Sequence, residues 1–139
     1  MGMIEETDEL MLDFDKLAKI APENRVIPAA IQNLDTKEVI LVAYINETAL
    51  KETIKRGKLV LWSTSRNKLW FKGEESGNTF TLRHIFVNCE QNSLVIQVTP
   101  DKGNICHTSF NGKPNNCFYR ELDIKSMKLT DLNEKEQRK

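Results

Sequence analysis

The chain is expected to adopt an α+β fold: a mixed, largely antiparallel folded sheet carrying one or two short helices. Three observations predict it. Short apolar runs rich in β-branched residues recur along the chain, and several alternate in polarity with the period of a half-buried strand. Turn signals separate them at short intervals. Only one segment, ETALKETIKR, combines helical spacing with a start and a stop signal.

Residues 1–12 read as an acidic leader, 13–124 as a single domain and 125–139 as a polar tail expected to fray. Asp13 through Ala21 can form a short helix, with Phe14, Leu17 and Ala18 on one face and Pro22 ending it. Val26–Gln32 and Glu38–Ile45 form a hairpin around Asp35-Thr36-Lys37. Asn46 caps the following helix, where Ala49, Leu50 and Ile54 share a face, and Gly57 stops it. Leu59–Ser63 and Leu69–Lys72 are short strands around a polar turn. After the loop GEESGN come Thr79–Val87 and Ser93–Thr99, the latter with Leu94, Ile96 and Val98 on one face. Pro100-Asp101-Lys102-Gly103 is a turn. A strand carrying Cys106 and His107 follows, and Cys117–Leu122 is expected to close the sheet.

Composition narrows the classes of function. At 139 residues the chain can bury a real core without disulfide staples. Twenty basic residues balance twenty acidic ones, and the few aromatics do not interleave with a basic stripe, which argues against a nucleic-acid partner. No apolar run approaches the roughly 20 residues needed to span a bilayer, and the N-terminal stretch has no apolar signal core, so no membrane partner is expected. A cytoplasmic, reducing location follows, which keeps thiols available for metal.

Three cysteines, Cys89, Cys106 and Cys117, cannot all be used in disulfides within one chain. Three thiolates can hold Zn²⁺ and leave its fourth position open, as in catalytic zinc sites. The intervening sixteen and ten residues match no CxxC knuckle, and an ordinary packing thiol is the competing reading. None of the three lies inside an apolar run, and Cys106 adjoins His107. A second cluster, SRNKLWFKGEESGN at 65–78, gathers Arg66, Lys72, Glu74 and Ser76 around Trp70. It reads either as a solvated hairpin with a buried tryptophan or as an anion site, with Gly73 and Gly77 letting backbone N–H groups approach a phosphate.

VILVAYINETAL, LWSTSRNKLWFKGEESGN, the Cys89 segment and then ICHTS and NCFYR run in the order seen in phosphoribosyl-AMP cyclohydrolases of histidine biosynthesis, which the chain resembles over roughly residues 14–122. The resemblance implies an intertwined homodimer that opens the adenine ring of a purine nucleotide by adding water at C6. It implies Cys89, Cys106 and Cys117 as zinc ligands, and His107 as a proton-transfer residue beside the metal. Ser63, Ser65, Arg66, Trp70, Lys72, Glu74, Ser76, Gly77 and Thr108 would line the nucleotide site.

The chain also departs from that family. Where the family carries three carboxylates for Mg²⁺ around the first cysteine, this chain has Asn88, Glu90 and Asn92, a degenerate set expected to bind magnesium weakly or not at all. Asn78 and Phe80 replace an imidazole and an amide, Thr64 stands where an arginine is usual, and the Cys106–Cys117 stretch is longer. A paralogue with another substrate, or a non-catalytic zinc- or nucleotide-binding dimer, would also accommodate these features.

Overall fold

The computed structural model describes residues 8–9, 25–101, 116–132 and, for the backbone alone, 109–110 and 113–114. The segment expected as a first helix, and Cys106, His107 and Thr108, lie outside them.

The first hairpin forms as the sequence predicts. Strands β1 (Ile27–Asn33) and β2 (Val39–Ile45) pair antiparallel, with Ala29 opposite Ala43 and Ile31 opposite Leu41. The turn is set by Asn33, whose side-chain oxygen accepts from the N–H groups of Asp35 and Thr36 at 2.9 and 3.3 Å. Helix α1 (Glu47–Arg56) begins at Asn46, which accepts from Ala49 N, and stops at Gly57, which takes the left-handed conformation at φ 68°. Its buried face differs from the expected one: Ala49 and Thr53 are buried, whereas Ile54 is 59% exposed. Thr53 wins the inward position because its hydroxyl bridges helix to sheet, contacting Ala49 O and Val60 O and accepting from Val60 N, each at 2.9 Å.

Strands β3 (Val60–Ser63), β4 (Lys68–Phe71), β5 (Phe80–Val87) and β6 (Leu94–Pro100) complete a six-stranded sheet in the order β4-β3-β2-β1-β6-β5. β1 and β6 run parallel and every other neighbouring pair is antiparallel, so the sheet is mixed and largely antiparallel. It also curls. The start of β5 bonds back to the chain just before β3, through Leu59 N to Phe80 O and Leu82 N to Gly57 O, both 2.9 Å.

Alternation along the strands builds the core. Ala29 and Ile31, Leu41, Ala43 and Ile45, Leu94, Ile96 and Val98 turn inward with Phe80 and Leu61. On the opposite face Val42, Ala30, Val95 and Phe86 stand in one cross-strand row, with Val42 and Phe86 about half exposed.

The C-terminal part differs from expectation. Cys117–Leu122 does not close the main sheet. Strand β9 (Arg120–Leu122) instead pairs with β10 (Leu129–Asp131) in a separate two-stranded sheet, after a minimal pair β7 (Ser109–Phe110) and β8 (Lys113–Pro114). The tail is therefore ordered to Asp131 rather than frayed from Lys125. Its hairpin is held by Met127 N to Asp123 O at 2.9 Å, and Leu129 N to Asp8 O at 2.8 Å joins it to the leader. Polar composition hid it, because backbone pairing rather than apolar burial holds this hairpin together.

Candidate functional site

The β3–β4 hairpin and the loop after it form one cleft. At the tip, Ser63 Oγ accepts from Arg66 N at 3.2 Å and lies 3.4 Å from Ser65 Oγ, while Asn67 takes a positive φ of 55° to close the turn. Ser63 stands opposite Lys68, and Leu61 opposite Trp70. Beyond β4 the chain folds back on itself at Gly73 (φ 80°), whose carbonyl accepts from Gly77 N at 2.7 Å. A side chain at Gly73 would place its Cβ 2.1 Å from the Asn78 carbonyl oxygen, so only glycine permits this reversal.

The resulting cleft measures about 600 Å³, within the range of small-molecule sites. Ser63, Arg66, Trp70, Lys72, Glu74 and Ser76 line it, six of the nine residues expected to bind nucleotide. Ser65 and Gly77 sit one hydrogen bond behind the wall, and Thr108 is outside the described residues. Lys68 and Glu75, neither among the nine expected residues, also line the cleft. The period of two along β4 was the signal that could have found Lys68, two residues before Trp70. Lys72 Nζ lies 5.2 Å from the Trp70 ring centroid and 5.5 Å from that of Phe80, so two aromatic rings hold this cation in place.

Asp101 secures the far end of the loop. Its backbone N–H donates to Thr79 O at 2.9 Å, and its carboxylate accepts from Thr79 Oγ1 at 2.6 Å, from Thr81 Oγ1 and from Lys58 Nζ at 2.8 Å. Desolvation works to raise this carboxyl, but the bonds from Lys58, Thr79 and Thr81 and the Lys58 charge together outweigh it and hold it down at about 2.

Of the expected metal ligands, Cys89 and Cys117 do not line the cleft, and Cys106 is outside the described residues. Cys89 is exposed in the turn joining β5 to β6, and Cys117 is exposed with its N–H bonded to Ile40 O on β2 at 2.8 Å. β1 and β6 separate those two positions in the sheet. Thiolates sharing one zinc stand within about 4 Å of each other, since each Zn–S bond is about 2.3 Å. Among the described residues no three His, Cys, Asp or Glu side chains form a metal-sized group. The donor chemistry suits zinc, and the two described thiols stand beside different strands of the sheet.

The turn around Cys89 does not fit magnesium. Asn88 Oδ1 accepts from the N–H groups of Asn92 and Ser93 at 2.8 and 2.9 Å, and Asn88 Nδ2 donates to Asn92 Oδ1 at 2.6 Å. Asn92 Nδ2 in turn reaches Glu90 at 3.4 Å. Both amide oxygens are thus committed to the turn itself, and Glu90 supplies the one carboxylate where a hard dication asks for several.

Comparison with known proteins accords with this arrangement. A family model described as phosphoribosyl-AMP cyclohydrolase matches residues 41–119. The chain is 44% identical over 102 residues to the phosphoribosyl-AMP cyclohydrolase of Methanothrix thermoacetophila, covering 73% of this chain and 80% of that one. It is 36% identical over 132 residues to the protein of the same name from Chlorobaculum tepidum, covering 94% and 90%. To the histidine biosynthesis bifunctional protein of Caldanaerobacter subterraneus subsp. tengcongensis it is 45% identical over 101 residues, covering 73% of this chain and 47% of the larger protein.

Proposed function

The chain belongs to the phosphoribosyl-AMP cyclohydrolase family of cyclic amidine hydrolases, and from that premise we propose that it opens the adenine ring of phosphoribosyl-AMP in histidine biosynthesis. The observation that carries this reading is the cleft itself. Six side chains of the family-like hairpin string converge on one concavity with an aromatic ring, cations and hydroxyls on its walls. In the reaction water adds its oxygen to C6 of the purine, the N1–C6 bond breaks, and N1 leaves with a proton.

Residues of this chain supply binding and orientation. Trp70 offers a flat apolar surface for the base. Arg66 and Lys72 neutralise phosphate, and the Ser63 and Ser76 hydroxyls can share hydrogen bonds with it. Glu74 and Glu75 can accept from ribose hydroxyls. His107, whose ordinary pKa near 6.5 suits exchange at neutral pH, is the residue assigned to move the proton to the departing nitrogen.

Cys89, Cys106 and Cys117 are the residues that would hold zinc. When bound, the metal would supply a Lewis acid that makes water a nucleophile at neutral pH. Because Cys89 and Cys117 stand beside different strands of the sheet, the reading includes a homodimer in which thiols of two copies meet. The exposed row of Val42, Ala30, Val95 and Phe86 supports a paired state, since it is apolar across four strands. No helix among the described residues is long and apolar enough to cross a membrane.

The test is an assay of purified protein for ring opening of phosphoribosyl-AMP, with zinc content and mass in solution measured on the same sample. Turnover by a zinc-containing dimer is the expected result. Zinc-replete protein that binds the nucleotide but leaves its ring closed would overturn the assignment.

A further inference from the structure

Among the basic side chains on the wall of the cleft, Lys68 is the one that the family resemblance leaves without a role. It stands first on β4, opposite Ser63, whose hydroxyl lies on the same cleft wall. In an extended strand residues two apart share a face, about 7 Å from each other. Lys68 and Trp70 therefore share a face of β4, and Lys72, just past the end of the strand, brings its Nζ to 5.2 Å from the Trp70 ring centroid; all three line the cleft.

Arg66, Lys68 and Lys72 carry no ion pair among the described residues, and the two cleft carboxylates, Glu74 and Glu75, carry none either. Three cations against two carboxylates leave the wall net positive. Lys72 is braced by two rings, whereas Lys68 is exposed and has no neutralising partner among the described residues. A cation kept on a cleft wall without an internal counter-charge is disposed to meet one from a ligand.

We infer that Lys68 is a phosphate-binding residue, and that Lys68, Trp70 and Lys72 together hold a purine nucleotide bearing a phosphate at each end. The inference rests on the reading above and deepens it. Phosphoribosyl-AMP consists of a purine flanked by two ribose phosphates, one on each side. A base stacked on Trp70 leaves one phosphate toward Lys68 and the tip residue Arg66, and the other toward Lys72 at the far end of β4. The cleft would then measure the ligand by its two charged ends and discriminate against nucleotides with a single phosphate.

The experiment compares the parent protein with Lys68→Met and Lys68→Arg. It measures KM and kcat for phosphoribosyl-AMP where turnover occurs, and Kd by quenching of tryptophan fluorescence where it does not. Lys68→Met is expected to raise KM or Kd about tenfold, leave kcat within about twofold, and flatten the salt dependence of binding. Lys68→Arg should restore binding to within about threefold. A Lys68→Met protein with unchanged melting temperature and parent affinity would overturn the role of Lys68 while leaving the proposed activity intact. Parent protein that binds the nucleotide without turnover would overturn the activity, and the Kd values would still decide Lys68. Parent protein that does not bind it at all would overturn both.

Discussion

Asp101 and Lys58, forty-three positions apart in sequence, meet in an ion pair of 2.8 Å that ties the end of β6 to the chain entering β3. The same carboxylate grips Thr79, the last residue of the loop that walls the cleft. One side chain thus locks three segments.

Asp101→Asn should lower stability by about 1–2 kcal/mol at neutral pH, after discounting the pair for its partial exposure. The sign of its pH dependence follows from the carboxyl being lowered from its ordinary 3.8 to about 2. The folded state gains from this group above pH 3.8 and loses that gain as pH falls toward 2. Chemical denaturation of parent and variant across pH should show a constant gap at neutral pH that closes in this acid window. A gap independent of pH would refute the assignment.

Thr53→Val should cost about 1–3 kcal/mol despite its near-equal volume, because Val60 N would lose its acceptor in a buried position. Thr53→Ser, which keeps the hydroxyl, should lose less. Equilibrium unfolding distinguishes them.

Gly73→Ala should destabilise by about 3 kcal/mol, combining a left-handed backbone with a close approach to Asn78. The distortion falls on the cleft wall, so nucleotide affinity should drop even where the variant folds. Gly57→Ala has the same backbone sign but open space around it, and should cost only about 1 kcal/mol.

Zinc should copurify at about one ion per chain, and Cys106→Ser, Cys89→Ser or Cys117→Ser should each release most of it, since a neutral hydroxyl replaces a thiolate poorly. Elemental analysis reads the outcome directly. Full zinc retention in the Cys89→Ser protein would remove that residue from the ligand set.

Magnesium should leave the parent protein unchanged in melting temperature, because the Asn88 and Asn92 amides already satisfy one another. Asn88→Asp combined with Asn92→Asp would set two carboxylates face to face, costing on the order of 1 kcal/mol through repulsion at the surface. Added Mg²⁺ should reverse that loss in the double variant alone. A magnesium-dependent rise in the parent would contradict the committed amides.

The division between what the sequence carries and what folding adds follows the range of the interactions. Strand alternation, the Asn46 and Gly57 caps and the Asp35–Lys37 turn are local, set by backbone sterics and side chains a few residues away, and all were legible in the chain. So was the string from Ser63 to Gly77, because a hairpin and its following loop keep their side chains near one another.

What no local pattern could specify was everything that depends on closure of the sheet. The grip of Asp101 on Lys58 and Thr79, the inward turn of Thr53 in place of Ile54, and the pairing of β9 with β10 arise only when distant backbone groups must find partners. The separation of Cys89 from Cys117 by β1 and β6 belongs to the same class: spacing along a chain states how many residues intervene, and the order of strands alone states where they end.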